Sequence, residues 1–464
     1  MNRLLSRLRR PFAPAARDSE AGRTPPPSII PAVIEHQAEA SGEEGSSHPS
    51  AAYSPARRGL MLFVLFLVST SSYLDRTMLS VALEPIKLEF HVTDSMLGLL
   101  SGASFAVLYV TLGIPVARWA DRGDRKLIIT GALAIWSAMT TLCGFTVSFL
   151  QLALVRIGVG AGEAGAMAPA QSLLADYFPP HQRARAISVF MISVTAGNFL
   201  GLSGGGWLTQ TFGWRAMFLA AGLPGLLLAP LVFTTLSEPR LSSRSAPSAE
   251  SFRATIIALG TKPSYLMAVA AMALFFGVAY GPLTFVVPFL ARVHGMRIGE
   301  AGAIAGFCTA VGGLAGNLLG GALTDRLSKQ DIRWLAWIPA AGVLAIGGFY
   351  QGAFLVAAPW VMIALLFCGG VVTGAAYPPM YALLHAVCGS VRRVTAIAAA
   401  LFVANLVGFG LGPLSVGVLS DQLAHTFGSA VGLQYALAIV SAALIPAGLL
   451  FFRAAAHLRA DLEH

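Results

Sequence analysis

The sequence predicts an all-α polytopic membrane protein with twelve transmembrane helices in two pseudo-symmetric six-helix halves. Composition, the spacing of apolar stretches and an internal repeat carry that prediction. Only 11% of the 464 residues are charged and 56% are apolar, against roughly 25% and 45 to 50% in soluble domains, so most of the chain cannot face water on every side. A soluble globule is excluded. The net charge of +9 does not indicate a nucleic-acid partner, because the basic residues sit in short clusters between apolar runs and do not gather on one water-facing surface. The four cysteines, Cys143, Cys308, Cys368 and Cys388, are scattered without a CxxC or metal spacing, so neither a metal nor a cofactor is expected.

Residues 1–58 are rich in Pro, Ser, Ala and Arg and lack a sustained apolar run. They are expected to form a disordered cytosolic tail. Its first ten residues, MNRLLSRLRR, leave open a short basic surface helix or a transit peptide. Apolar stretches of about 20 residues then recur near 60–83, 95–117, 127–147, 149–175, 187–209, 214–236, 264–290, 298–323, 332–354, 358–384, 395–419 and 430–452. Each is long enough to cross a bilayer. A polar, serine-rich stretch with Pro239 and Pro247, residues 237–262, reads as a cytosolic linker between an N-terminal half (59–236) and a C-terminal half (263–452). Residues 453–464 read as a second cytosolic tail.

Orientation follows from the cations. Of the 31 Lys and Arg, 25 precede the first span or fall in every second loop, two lie inside spans, and only Lys87, Arg215, Arg292 and Arg297 lie on the other side. The positive-inside bias puts both termini in the cytosol. The preference for Arg over Lys is associated with GC-rich bacteria, which makes a bacterial inner membrane the expected location.

The halves repeat one another. Ala117-x-x-x-Asp121-Arg122 after the second span matches Gly321-x-x-x-Asp325-Arg326 after the eighth, at an offset of 204. Pro169, Leu173-Leu174 and Arg183 match Pro379, Leu383-Leu384 and Arg393 at 210, and Gly197-x-x-x-Gly201 matches Gly408-x-x-x-Gly412 at 211. Three landmarks in one order at nearly one spacing indicate duplication.

Four charged side chains lie well inside spans: Asp75, Arg76, Arg156 and Glu163. Each costs about 2.5 to 3.5 kcal/mol to insert at a helix centre, so each should face a wet cavity or another of the four. Asp75 and Arg156 fall at similar depth and are placed to pair. Glu163 lies seven residues beyond Arg156, two turns along the same face and about 10.5 Å deeper. A carboxylate near the midplane suits proton carriage, since desolvation favours its neutral form and a nearby cation its ionised form. Glu163 is the first candidate and Asp75 the second. An inert interhelical clamp is the competing reading for all four, and snorkelling to the interface is a second reading for Arg76. The aspartate of the Asp121-Arg122-x-x-Arg125 loop, repeated as Asp325-Arg326, suggests a gate that meets the opposite repeat in one access state. The C-terminal half has no midspan carboxylate and offers aromatics instead, Tyr280 and Tyr377 among them.

These residues resemble the major facilitator superfamily. The loop ARWADRGDRK is similar to that family's G-x-x-x-D-R-x-G-R-[RK], with Ala117 and Asp124 where the family has glycine. Arg156-x-x-x-Gly160-x-Gly162-x-Ala164 resembles the fourth-helix motif, and the fifth span resembles G-x-x-x-G-P-x-x-G-G with Leu202 replacing proline. The likeness covers about 59–452. Within it, Tyr73-x-Asp75-Arg76, Gly162-Glu163-Ala164 and RARAIS at 183–188 resemble the spinster group. That resemblance implies an alternating-access secondary transporter, coupled to protons, that moves lysophospholipids or sphingoid phosphates. Candidate substrate contacts are Arg156, Arg76, Tyr73, Asn198, Tyr280 and Tyr377. Small organic anions or drugs are the alternative cargo, with Arg156 gripping a carboxylate. An enzyme is disfavoured because the nine histidines fall mostly in tails and loops. A monomer whose partners are substrate, protons and membrane lipids is expected.

Overall fold

The computed structural model describes residues 53–239 and 257–462, without the side chains of residues 105, 110, 114, 117, 118, 121, 122, 184 and 389–394. The N-terminal tail up to residue 52 and most of the linker lie outside the described residues. The described chain is helical throughout its spans. Helix α1 is Pro55–Phe90. Helix α2 is Asp94–Ser101 and, past Gly102, Ala103–Arg122. Helix α3 is Arg125–Cys143, and α4 is Phe149–Glu163 followed by Met167–Tyr177. Residues 180–212 form α5, with a π turn at Leu200–Gly204, and residues 214–235 form α6. The second half comprises α7 (Pro263–His294), α8 (Ile298–Leu327), α9 (Trp334–Leu355) and α10 (Pro359–Val387). It ends with α11 (Gly389–Asn405, a π turn at Leu406–Leu411, then Gly412–Phe427) and α12 (Ser429–Ala442 and Leu444–Asp461).

Among the described residues, ten helices are long and apolar enough to cross a membrane. Twelve crossings result because Pro180–Thr235 holds two of them and because α4 is interrupted in mid-span. The bend inside Pro180–Thr235 is at Gly213, whose φ of 84° and ψ of 162° are reproduced at Gly428 between α11 and α12. Only glycine adopts such angles without strain, so one turn chemistry ends the fifth crossing of each half. Other helix starts follow local capping: Ser54, Thr93, Asp124 and Ser148 each accept a backbone N–H three residues on. The last helix runs to Asp461, so the stretch assigned to a C-terminal tail is largely helical. The linker's end is helical too, from Ile257.

The halves meet through glycine faces that obey the repeat. A Cβ on Gly98 of α2 would stand 2.5 Å from the Pro413 carbonyl oxygen of α11. Gly302 of α8 packs in the same way on the Leu202 carbonyl of α5. Residues 98 and 302 differ by 204 and residues 202 and 413 by 211, the offsets of the sequence repeat. Small residues do this work because lipid tails remove the hydrophobic drive between helices and leave close packing to join them.

Candidate functional site

Helix α1 supplies the spine of the site. Ser72 follows Ser69 by three residues, and Asp75 and Arg76 follow Ser72 by three and four, so all four lie toward one side of the helix. Ser193 of α5 donates to Ser69 over 2.6 Å. Ser72 donates to Glu163 over 2.9 Å. Asp75 accepts from Arg156 at 2.9 Å and from Thr140 of α3 at 2.7 Å. Arg76 Nε donates to Glu163 at 2.5 Å. The four intramembrane charges therefore form two ion pairs, Asp75–Arg156 and Arg76–Glu163, anchored on adjacent residues of α1.

Local sequence explains the tightness. A Cβ on Gly162 would lie 2.7 Å from the Trp136 backbone nitrogen, and one on Gly197 would lie 2.6 Å from Tyr73 Cβ. Glycine at these points lets α3 and α5 close on the charged helices. Glu163 ends the first segment of α4, and the chain turns through residues 164–166 before Met167 resumes the helix. Broken helices at membrane depth place polar groups in a protein interior.

The two pairs differ in what they face. Arg156 and Asp75 are sealed, with side chains 2% and 3% exposed. Arg76 is 10% exposed and lies among rings, 5.3 Å from the Tyr73 centroid, 4.6 Å from Tyr109 and 5.4 Å from Phe409. Phe409 belongs to the other half. Behind it stand Tyr280 at 3.9 Å and, through Phe276, Tyr377. Asn198 is half-buried on α5 just before its π turn. Thr373, the repeat counterpart of Glu163, shares a hydrogen bond with Tyr350 across 3.3 Å. Thus charge gathers in the N-terminal half and aromatic surface in the C-terminal half.

At the basic end, Arg125 is fully buried and binds within its own half, to Asp176 at 2.7 Å and to Ser172 at 2.8 Å. Its backbone N–H and guanidinium also hold Glu238, a carboxylate at the N-terminus of α3. In this conformation Arg125 makes these contacts within the N-terminal half and the start of the linker. The side chains of Asp121 and Arg122 lie outside the described residues, and Asp325 and Arg326 are exposed.

The opposite end carries a cluster that the search for midspan charges missed. Arg292 of α7 binds Asp94 of α2 at 2.7 and 2.9 Å and Glu84 of α1 at 2.6 Å. Asp94 also accepts from Lys87 and Ser420, each at 2.7 Å. Asp421 of α11 accepts the N–H groups of Asp94 and Ser95, capping α2 from across the halves. All four cations on this side are ion-paired, Arg215 with Glu89 and Arg297 with Glu300 completing the set.

Twelve crossings in two repeats around buried charges define a membrane transporter and not an enzyme. A sequence profile of the Major Facilitator Superfamily matches residues 65–413, and the chain belongs to that superfamily. It is 34% identical over 411 residues to an MFS-type efflux pump of Mycolicibacterium smegmatis, covering 88% of this chain and 95% of that one. It is 28% identical over 398 residues to protein spinster homolog 1 of Homo sapiens, covering 80% and 74%. A solved bacterial homologue of the human lysosomal transporter spinster, inward-facing and unoccupied, matches with a TM-score of 0.80 at 29% identity, covering 89% of this chain and 100% of that chain.

Proposed function

We propose that this transporter couples proton movement to carriage of an amphipathic anion, such as a lysophospholipid or sphingoid phosphate. The observation behind this reading is the setting of Arg76, which holds Glu163 on one side and faces rings of both halves on the other. Guanidinium binds phosphate and carboxylate alike. An anionic head at Arg76 therefore competes with ionised Glu163, and protonating Glu163 removes the competitor. Substrate and proton then favour each other's binding, which is the thermodynamic basis of co-transport. Arg156 is already spent on Asp75 behind the site, so we assign the head group to Arg76 and give Arg156 a supporting role. The aromatic wall of Tyr280, Phe276 and Tyr377 suits a hydrocarbon chain.

Competition by lysolipids of increasing acyl length in proteoliposomes tests the reading. Each buried methylene is worth about 0.8 kcal/mol, so two added methylenes should tighten inhibition by up to about 15-fold. Arg76→Ala should weaken every member of the series. The alternative cargo, small organic anions or drugs, draws on the likeness to an efflux pump. A flat response to chain length with strong inhibition by short carboxylates would favour it.

We also place the basic end in the cytosol. With the four native cysteines replaced, an impermeant thiol reagent on intact cells should label Ala357→Cys and leave Lys329→Cys unmodified. Both positions are exposed, at opposite ends of α9. The reverse pattern would overturn the orientation.

A further inference from the structure

Phe409 stands in the π turn of α11, a wider turn that often marks functional positions. Two glycines flank it. Gly408 lies on α7, where a Cβ would come within 2.9 Å of Phe276 Cβ. The Phe409 carbonyl rests over Gly102, at the break in α2, where a Cβ would stand 2.6 Å away. The turn is thus wedged between α7 of its own half and α2 of the other, and it delivers a 9%-exposed ring to the face of Arg76. Tyr280 backs that ring at 3.9 Å with planes tilted 32°, and Tyr109 meets it edge-on at 6.3 Å.

We infer that Phe409 is the positioning residue through which the C-terminal half holds Arg76 on Glu163. The inference rests on the proton-coupling role of Glu163 proposed above. A cation over an aromatic face is attracted most strongly where water is excluded. Here the ring belongs to one half and the ion pair to the other, so the attraction exists only while the halves are closed at this layer. Separation withdraws the ring, frees Arg76 to turn away, and changes how tightly Glu163 holds its proton. A ligand or proton shifts a conformational equilibrium only through such a difference between states. The charged and titratable neighbours are Asp75 and Tyr73 on α1, Tyr109 on α2 and Arg156 on α4, with Tyr280 of the C-terminal half near Arg76 and Tyr377 and Tyr381 near Tyr73. None of these groups is itself altered when Phe409 alone is changed.

The test is the pH profile of substrate transport in proteoliposomes for wild type, Phe409→Leu, Phe409→Tyr and Phe409→Trp. Without the ring, Arg76 pairs less firmly with Glu163, and the pH profile of transport shifts accordingly. The Phe409→Leu midpoint should move up by roughly half a pH unit, a threefold change in proton affinity. Phe409→Tyr should stay with wild type. Phe409→Trp, the stronger cation partner, should move the midpoint down, a direction that a misfolded variant does not produce. A Leu profile that coincides with wild type, or Leu and Trp profiles that move together, would overturn the inference. A wild type without any pH dependence would instead remove the underlying proton-coupling role.

Discussion

Glu163→Gln is expected to lose all accumulation driven by a pH gradient. With one proton per substrate, a gradient of one pH unit is worth about 1.4 kcal/mol and sustains roughly tenfold accumulation. In the variant the ratio should fall to one. The glutamine keeps the volume, and its amide oxygen still accepts from Ser72 and Arg76, the two donors that Glu163 now holds. It cannot carry the proton. Exchange of labelled for unlabelled substrate, which needs no net proton flux, should persist and shows that the protein is folded. Asp75→Asn is the contrasting case. It leaves Arg156 buried without its carboxylate, and breaking such a pair costs about 3 to 5 kcal/mol. That variant should lose thermal stability as well as transport. Full pH-driven uptake by Glu163→Gln would move the proton site elsewhere, with Asp75 next in line.

Arg292→Ala should open the arginine-poor end. Arg292 joins the halves there, and its removal leaves Asp94 with Lys87 and Ser420 while Glu84 loses its guanidinium. Asp94 is only 1% exposed, so its charge cannot turn to water while the end stays closed. Losing the charge-assisted hydrogen bonds of Arg292 costs about 1.5 to 3 kcal/mol, enough to move a two-state equilibrium by roughly ten- to a hundredfold. The open state avoids this cost because both carboxylates become hydrated. Spin labels at exposed His91 and His425, on opposite halves at this end, should report longer distances in the variant, with transport slowed several-fold. An unchanged distance distribution would show that contacts other than Arg292 hold the end shut. The Asp421 cap on α2 would then be the next contact to remove.

The class of molecule was legible in the sequence because membrane burial is written in composition. Stretches of about 20 apolar residues, the arginine asymmetry and the two-copy motifs each follow from local chemistry that a bilayer enforces. The same logic exposed Asp75, Arg76, Arg156 and Glu163, since a charge amid apolar residues needs a partner wherever the chain folds. What periodicity could not supply was the identity of partners across halves. Arg125 carries the pattern of an inter-repeat gate, yet the fold sets it on Glu238 and Asp176, because a carboxylate more than 100 residues away in sequence arrives at the N-terminus of α3. Phe409 reads as one more apolar residue in an apolar span. Only the π turn, with glycines that admit α2 and α7, brings its ring to Arg76. Asp94 and Arg292 lie at span ends, where charge is ordinary. Their lock exists because two homologous halves fold back on each other, and that closure is a property of tertiary packing that no single stretch of residues encodes.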